Sequence, residues 1–224
     1  MAARISRSLL DPILFPLVPR LYKLLALPKK LWPESIVVAG NLIAGAGAVA
    51  LAFSTQLWWC GILAAVAVAG NHAADMIDGT HARKTGQCRN GGELLDHFLD
   101  PLSFSYWLIA ISVSVDRLEL GLALVVILYA TALLTSIKAK ITGKFVLSRF
   151  GPTEFKGLLV FYGILMATVV ASFGSAAGAT VAMVSLAVLL VVGVLQLTRN
   201  LVKGVREVND CGAAADATPW QLES

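Results

Sequence analysis

Between residues 35 and 199 the chain alternates long apolar runs with short polar breaks, the runs falling at 35–54, 57–76, 93–115, 118–137, 154–174 and 177–199. Each has about the 20 residues that an α-helix, rising about 1.5 Å per residue, needs to cross the hydrocarbon of a bilayer. The pattern predicts an all-α integral membrane protein with six transmembrane helices and both termini on one side. Before the first run, residues 1–33 interleave Arg4, Arg7, Arg20, Lys23, Lys29 and Lys30 with leucines such as Leu9, Leu10, Leu21 and Leu24. Basic and apolar residues mixed in this way suit the bilayer surface. Pro12, Pro16 and Pro19 break the segment, so short helical pieces are expected there rather than one helix. A secretory signal is the competing reading, but no uninterrupted apolar core followed by a small-residue cleavage site is present. The expected organisation is an N-terminal interfacial segment (1–33), a six-helix transmembrane domain (34–206) and a loose tail (207–224).

Composition agrees. Apolar residues make up 57% of the 224 and charged residues only 14%, against about 25% charged in ordinary soluble domains. That balance excludes a disordered or fibrous chain, and a soluble core of this size cannot hide so much apolar surface. The net charge of +4 is informative only through its placement. With six crossings, 17 of the 18 Lys and Arg residues fall on the side of the termini, and Arg117 alone falls opposite. This is the asymmetry of the positive-inside rule, and it orients both termini toward the cytoplasm. Lys138, Lys140, Lys144 and Arg149 are read first as a solvated loop that fixes orientation, with binding of an anionic substrate as the alternative. Cys60, Cys88 and Cys211 are odd in number and far apart, which argues against a disulfide framework or a zinc site. Small residues on the first two runs, among them Gly40, Gly45, Gly47, Ala64, Ala67 and Gly70, allow close helix contact. Trp58, Trp59 and Trp107, with Tyr106, read as interfacial anchors and packing.

Acidic residues change the picture, because Asp75, Asp78, Asp96 and Asp100 cluster at the ends of the second and third runs, where charge is costly without a function. If the second helix continues through Arg83, Asp75, Asp78 and Ala82 share a face, while Asp96 and Asp100 are i and i+4 partners on the third. Carboxylates so close repel unless a cation lies among them. An all-oxygen donor set suits magnesium, manganese or calcium better than zinc, and four carboxylates have room for two ions. Gly79, Gly86, Gly91 and Gly92 leave space for a phosphate near the backbone, and Arg83 offers a fork of donors to its oxygens. Together these features describe a diphosphate site.

The run from Asp75 to Asp100 has the form D-x-x-D-G-x-x-A-R-x8-G-x3-D-x3-D, and in it the chain resembles the CDP-alcohol phosphotransferase (CDP-alcohol phosphatidyltransferase) family at all eight fixed positions. The resemblance implies a metal-dependent transferase of phospholipid biosynthesis that moves a substituted phosphate from a CDP-alcohol to an acceptor alcohol and releases CMP. It further implies that Asp75, Asp78 and Asp96 hold a pair of Mg2+ or Mn2+ ions with Asp100 as ligand and general base. Asp75, Gly79, Ala82, Arg83 and Gly92 are implied to hold the CDP portion, and a homodimer is implied as the assembly.

The run Gly92-Glu93-Leu94-Leu95-Asp96-His97 and the pair Thr153-Glu154 resemble stretches of the choline and ethanolamine phosphotransferases. They favour CDP-choline or CDP-ethanolamine as donor and a diradylglycerol as acceptor. The alternative is a CDP-diacylglycerol donor with a small polar alcohol such as glycerol phosphate, serine or inositol. His97 and Glu154 are candidates for the acceptor pocket, although Glu154 also suits a helix start after Pro152. His72, one turn before Asp75, is read as a buried structural histidine or an orienter of that carboxylate, and His81 occupies a variable slot of the motif. A cation- or proton-coupled transporter is the rival of another class. It predicts carboxylates at the bilayer midplane on broken helices, whereas these acids lie at one rim. Intramembrane prenyl transfer, a second rival, requires another Asp-rich motif that the chain lacks.

Overall fold

The computed structural model describes residues 3–5, 8–146 and 150–210, with side chains described from residue 8 onward. Arg7, Arg149, Cys211 and the rest of the tail to residue 224 lie outside the described residues. The long helices are α3 (Pro33–Ala52), α4 (Trp58–Thr85), α5 (Asn90–Val113), α6 (Leu118–Thr142), α7 (Pro152–Phe173) and α8 (Ser175–Asp210). Five of them, all but α5, are long and apolar enough to cross a membrane. Helix α5 is 24 residues long but dilutes its apolar content with Asp96, His97, Asp100, Ser103 and Ser105. It packs along α3 and α6 as a member of the same bundle. In lipid each of these helices satisfies its own backbone hydrogen bonds, which is why apolar runs of this length fold this way. The chain is an all-α, multi-pass integral membrane protein.

Local chemistry sets the helix ends. Pro33 and Pro152 stand at the starts of α3 and α7, where a missing N–H costs nothing. Helices α4 and α6 stop at Gly86 (φ 71°) and Gly143 (φ 66°), both in the left-handed conformation that a side chain disfavours. Helix α4 runs nine residues past the apolar stretch expected to end at 76, and so carries the whole first half of the motif on one continuous helix. Helix α8 likewise continues through Asp210, past the boundary expected at 207.

The N-terminal segment does form short pieces, α1 (Asp11–Leu14), a 3₁₀ turn (Phe15–Leu17) and α2 (Val18–Leu25), each with a proline in its first two positions. A strand was not expected. Residues Ala3–Ile5 (β1) pair in parallel with Lys144–Val146 (β2), the short stretch after α6.

Small residues bring the helices together, as the sequence suggests, though not all of them take part. A Cβ on Gly47 would stand 2.7 Å from Ala67 Cβ, and one on Gly40 would stand 2.9 Å from Ala74 Cβ, so α3 and α4 touch at both levels. Gly45 has nothing within 4 Å and is not a packing glycine. Trp107 is wholly buried and donates its indole N–H to the Ala44 carbonyl at 3.0 Å, a core role, while Trp58 and Trp59 stay exposed at the start of α4.

The tightest approach of backbone to backbone at a glycine is between α4 and α7, where a Cβ on Gly61 would stand 2.5 Å from the Gly163 carbonyl oxygen and 2.7 Å from the Ala167 nitrogen. Backbone cannot yield as a flexible side chain does. Gly61→Ala is therefore expected to cost about 1–3 kcal/mol by prising α4 from α7, read as a drop in melting temperature in detergent. An unchanged melting temperature would show that the two helices are not held at this distance.

Candidate active site

Helices α4 and α5 meet at the tight turn that follows Gly86, and this turn carries the two halves of the motif to one place. Asp75, Asp96 and Asp100 each offer a carboxylate oxygen, and the three oxygens lie within 4.8 Å of one another. Asp78 is buried beside them but stands outside that triad, with Oδ1 accepting a hydrogen bond from the N–H of Gly79. Of the four carboxylates expected to act together, three converge and the fourth adjoins. The donor set is all oxygen, which fits a hard divalent cation. His72 lies one turn before Asp75, with Nδ1 3.6 Å from Asp75 Oδ2, an orienting position rather than a direct hydrogen bond.

The site contains a residue that sequence reasoning missed. Lys156 of α7 reaches in with its ammonium 2.9 Å from Asp75 Oδ2 and 2.9 Å from Asp100 Oδ1, and only 1% of its side chain is exposed. Its Nζ also lies 5.6 Å from the centre of the Phe104 ring. Counting charges by segment assigns Lys156 to a cytoplasmic loop. The available signal was its place inside the apolar stretch 154–174, where an unpaired ammonium is costly. Three helices thus meet at one positive and several negative charges.

The carboxylates face a cavity of about 1000 Å3. Its polar end is lined by Asp75, Asp78, Gly79, Arg83, Asp96, His97 and Asp100, and by Asp11 and Phe15 from the N-terminal segment. From there it continues as an apolar cleft past Leu108 of α5, Leu124 and Ile127 of α6, and Leu189 and Val192 of α8. Lys138, Lys144 and Lys203 also line it, so these lysines are not merely loop charges. Lys138 and Lys203 both pair with Glu207. A cleft that is charged at one end and apolar along its length accommodates an amphipathic molecule.

The sequence profile of the CDP-alcohol phosphatidyltransferase family matches residues 31–198. The chain belongs to this family. A comparison with curated proteins found no significant match. As a CDP-alcohol phosphatidyltransferase family member the chain is a membrane transferase of phospholipid head-group chemistry, and the matched region contains every residue of the carboxylate motif together with Lys156.

Within that family region the glycines and Arg83 take particular positions. The Arg83 guanidinium lies against Gly79, where a Cβ would stand 3.2 Å from Nη1, so Gly79 first of all makes room for Arg83. Arg83 is exposed at the cavity and makes one long contact, Nη2 to Thr80 Oγ1 at 3.4 Å, which leaves most of its donors available to a ligand. A Cβ on Gly92 would stand 3.4 Å from Glu34 Oε1, and Glu34 pairs with Arg89 at 3.7 Å across the same rim. His97 is half-exposed, 3.9 Å from Glu93 and edge-on to Phe145 of β2 at 5.5 Å, at the mouth of the cavity.

Glu154 is placed differently from its expected role in an acceptor pocket. Its Oε1 accepts from the Ser8 hydroxyl (2.5 Å) and from the N–H groups of Leu9 (2.7 Å) and Leu10 (3.3 Å), and its Oε2 accepts from the Gly151 N–H (2.9 Å). The carboxylate is occupied in tying the N-terminal segment to the start of α7, and neighbouring Thr153 reinforces the tie by donating to Asp11 at 2.9 Å. His81 does the same at the end of α4. It is fully buried, with Nε2 donating to the Leu31 carbonyl and Nδ1 paired with the Tyr22 hydroxyl, both at 2.9 Å. The Gly151 contact is the helix start that the sequence suggests, but the ties to Ser8, Leu9 and Leu10, and those of His81 to Tyr22 and Leu31, reach 50 residues or more along the chain and are not visible locally.

Proposed function

We propose that the chain transfers phosphocholine or phosphoethanolamine from the CDP-aminoalcohol to the free hydroxyl of a diradylglycerol, releasing CMP. The observation that carries this reading is the large cavity in which the carboxylate triad faces a cleft that turns apolar toward the bundle interior. The attacking hydroxyl oxygen forms a bond to the phosphorus that bears the aminoalcohol, and the bond from that phosphorus to the oxygen of CMP breaks. Asp100, at the junction of triad and cleft, accepts the hydroxyl proton. Asp75, Asp96 and Asp100, with Asp78 adjoining, are the residues that would hold Mg2+ or Mn2+, and a divalent ion there would supply neutralisation of the diphosphate and of the departing CMP. Arg83 orients the diphosphate through charge-assisted hydrogen bonds, with Gly79 keeping the approach open. The apolar cleft excludes water and receives the acyl chains. At the mouth, Glu93, Asp11 and the ring of Phe145 supply the negative and aromatic surroundings that a quaternary or primary ammonium prefers. The basic residues around this rim, read by the positive-inside rule, support an orientation with the mouth and both termini on the cytoplasmic side.

A second reading is favoured by Lys138, Lys144 and Lys203 in the same cavity. Three ammonium groups suit an anionic acceptor, so that CDP-diacylglycerol is the donor and a phosphorylated or polar small alcohol attacks. The purified full chain in lipid, offered CDP-choline, CDP-ethanolamine and CDP-diacylglycerol with matched acceptors, is expected to release CMP fastest from the aminoalcohol donors with diradylglycerol. CMP release confined to CDP-diacylglycerol overturns the first reading in favour of the second, and release from none of the donors rejects both.

A further inference from the structure

Lys156 lies outside the carboxylate motif and enters the site from a third helix, yet it makes the closest ionic contacts there, 2.9 Å to Asp75 and 2.9 Å to Asp100. With 1% of its side chain exposed, the ammonium has given up water for these two carboxylates. Such a group is retained only where its partners compensate for the lost hydration, and removing one member of a buried ionic set leaves the others uncompensated. Asp75 and Asp100 also belong to the triad whose oxygens lie within 4.8 Å of one another. The same two groups therefore face a covalently resident cation and also belong to the candidate divalent-ion site.

We infer that Lys156 is the resident counter-cation of the divalent-ion site. It holds Asp75 and Asp100 together when no divalent ion is bound, and it competes with the ion for their charge, which sets how tightly the ion binds. It is a positioning residue, acting through the carboxylates, and the inference rests on the reading of the triad as the divalent-ion site. Two opposite effects follow from replacing it by an uncharged side chain of similar length. The ion-free site loses the ammonium in closest contact with its carboxylates and becomes less stable. The ion-bound site gains, because one competing positive charge is gone. A lysine that merely filled space produces the first effect without the second.

The test is thermal melting of the full chain in detergent, in chelator and across a Mg2+ titration, for the wild type, for Lys156→Met and for the double variant Asp100→Asn with Lys156→Met. In chelator, Lys156→Met is expected to melt below the wild type, and the double variant to recover toward it, since one negative charge leaves with the ammonium. Mg2+ is expected to stabilise Lys156→Met at a half-saturating concentration roughly tenfold below that of the wild type, the scale of coupling between neighbouring bound charges. Equal half-saturation in the two proteins overturns the inference, as does a double variant no more stable in chelator than Lys156→Met. Should Lys156→Met yield no folded protein, a folded double variant supports the inference and an unfolded one overturns it. A wild type whose melting is indifferent to Mg2+ and Mn2+ defeats the metal reading and the competition with it. The chelator comparison still decides independently whether the ammonium balances carboxylate charge.

Discussion

Asp100→Asn is expected to lower CMP release by about a thousandfold, within the range that a positioned general base contributes, while the protein still folds and melts close to the wild type. The substitution preserves volume, and the amide oxygen can still accept the hydrogen bond that Lys156 donates to Asp100. What it removes is a proton acceptor at the head of the cleft and one of the three convergent carboxylate oxygens. Chemistry and ion binding therefore fail together while packing is spared. The assay is single-turnover CMP release in lipid with a parallel melting curve. Retention of more than about a tenth of the activity, well above what losing a general base leaves, would falsify the assignment of Asp100 as base. Loss of activity with a collapsed melting curve would instead trace the effect to the broken contact with Lys156.

Removing divalent ions is the second large effect. In excess chelator CMP release is expected to stop, and Mg2+ or Mn2+ to restore it, whereas Zn2+ does not, because the convergent donors found among the described residues are all carboxylate oxygens. Electrostatics decide the size of the effect. At an effective dielectric constant near 20, two unit charges 4 Å apart interact by about 4 kcal/mol. A CDP-alcohol brings its diphosphate charges against four clustered carboxylates, of which Asp75 and Asp100 have the Lys156 ammonium in close contact. Charge-assisted hydrogen bonds from Arg83, worth about 1.5–3 kcal/mol each, cannot offset several such repulsions. Donor binding without a divalent ion is thus unfavourable, and both KM and kcat should respond to metal concentration. Undiminished turnover in chelator would reject this account of the site.

Much of the molecule was legible from one dimension. The six apolar runs correspond to α3 through α8, with starts displaced by at most three residues, because in lipid a helix must be apolar nearly all round and that requirement is written locally. The carboxylate motif was legible for the same kind of reason. Asp75 and Asp78 sit on one helix, Asp96 and Asp100 on the next, and the short turn after Gly86 leaves little freedom in how the two helix ends meet. Less legible was the orientation of Asp78, whose carboxylate turns to the adjacent Gly79 N–H and stands aside from the triad.

Three residues have long-range partners that local reading does not reach, although Glu154 does also cap the helix start after Pro152 as the sequence suggests. Lys156 is 81 positions from Asp75 and 56 from Asp100, Glu154 is 146 from Ser8, and His81 is 59 from Tyr22. Charge counting made a loop residue of the first, and motif likeness made a pocket residue of the second. In each case a polar group was placed by what was nearest in sequence, whereas its partner is set by which helices pack together.

From the sequence alone came the all-α membrane architecture, the six long helices and the carboxylate motif, since hydrophobic period and i, i+4 spacing act within a single segment. Only the tertiary structure decided that α7 delivers an ammonium into that motif, that α6 and α8 open an apolar cleft beside it, and that the N-terminal segment is bound over the rim by Glu154 and His81. Those features depend on contacts between segments far apart in the chain. Close backbone approach at Gly61 and Gly163 determines how α7 lies against α4, and no local pattern encodes that distance.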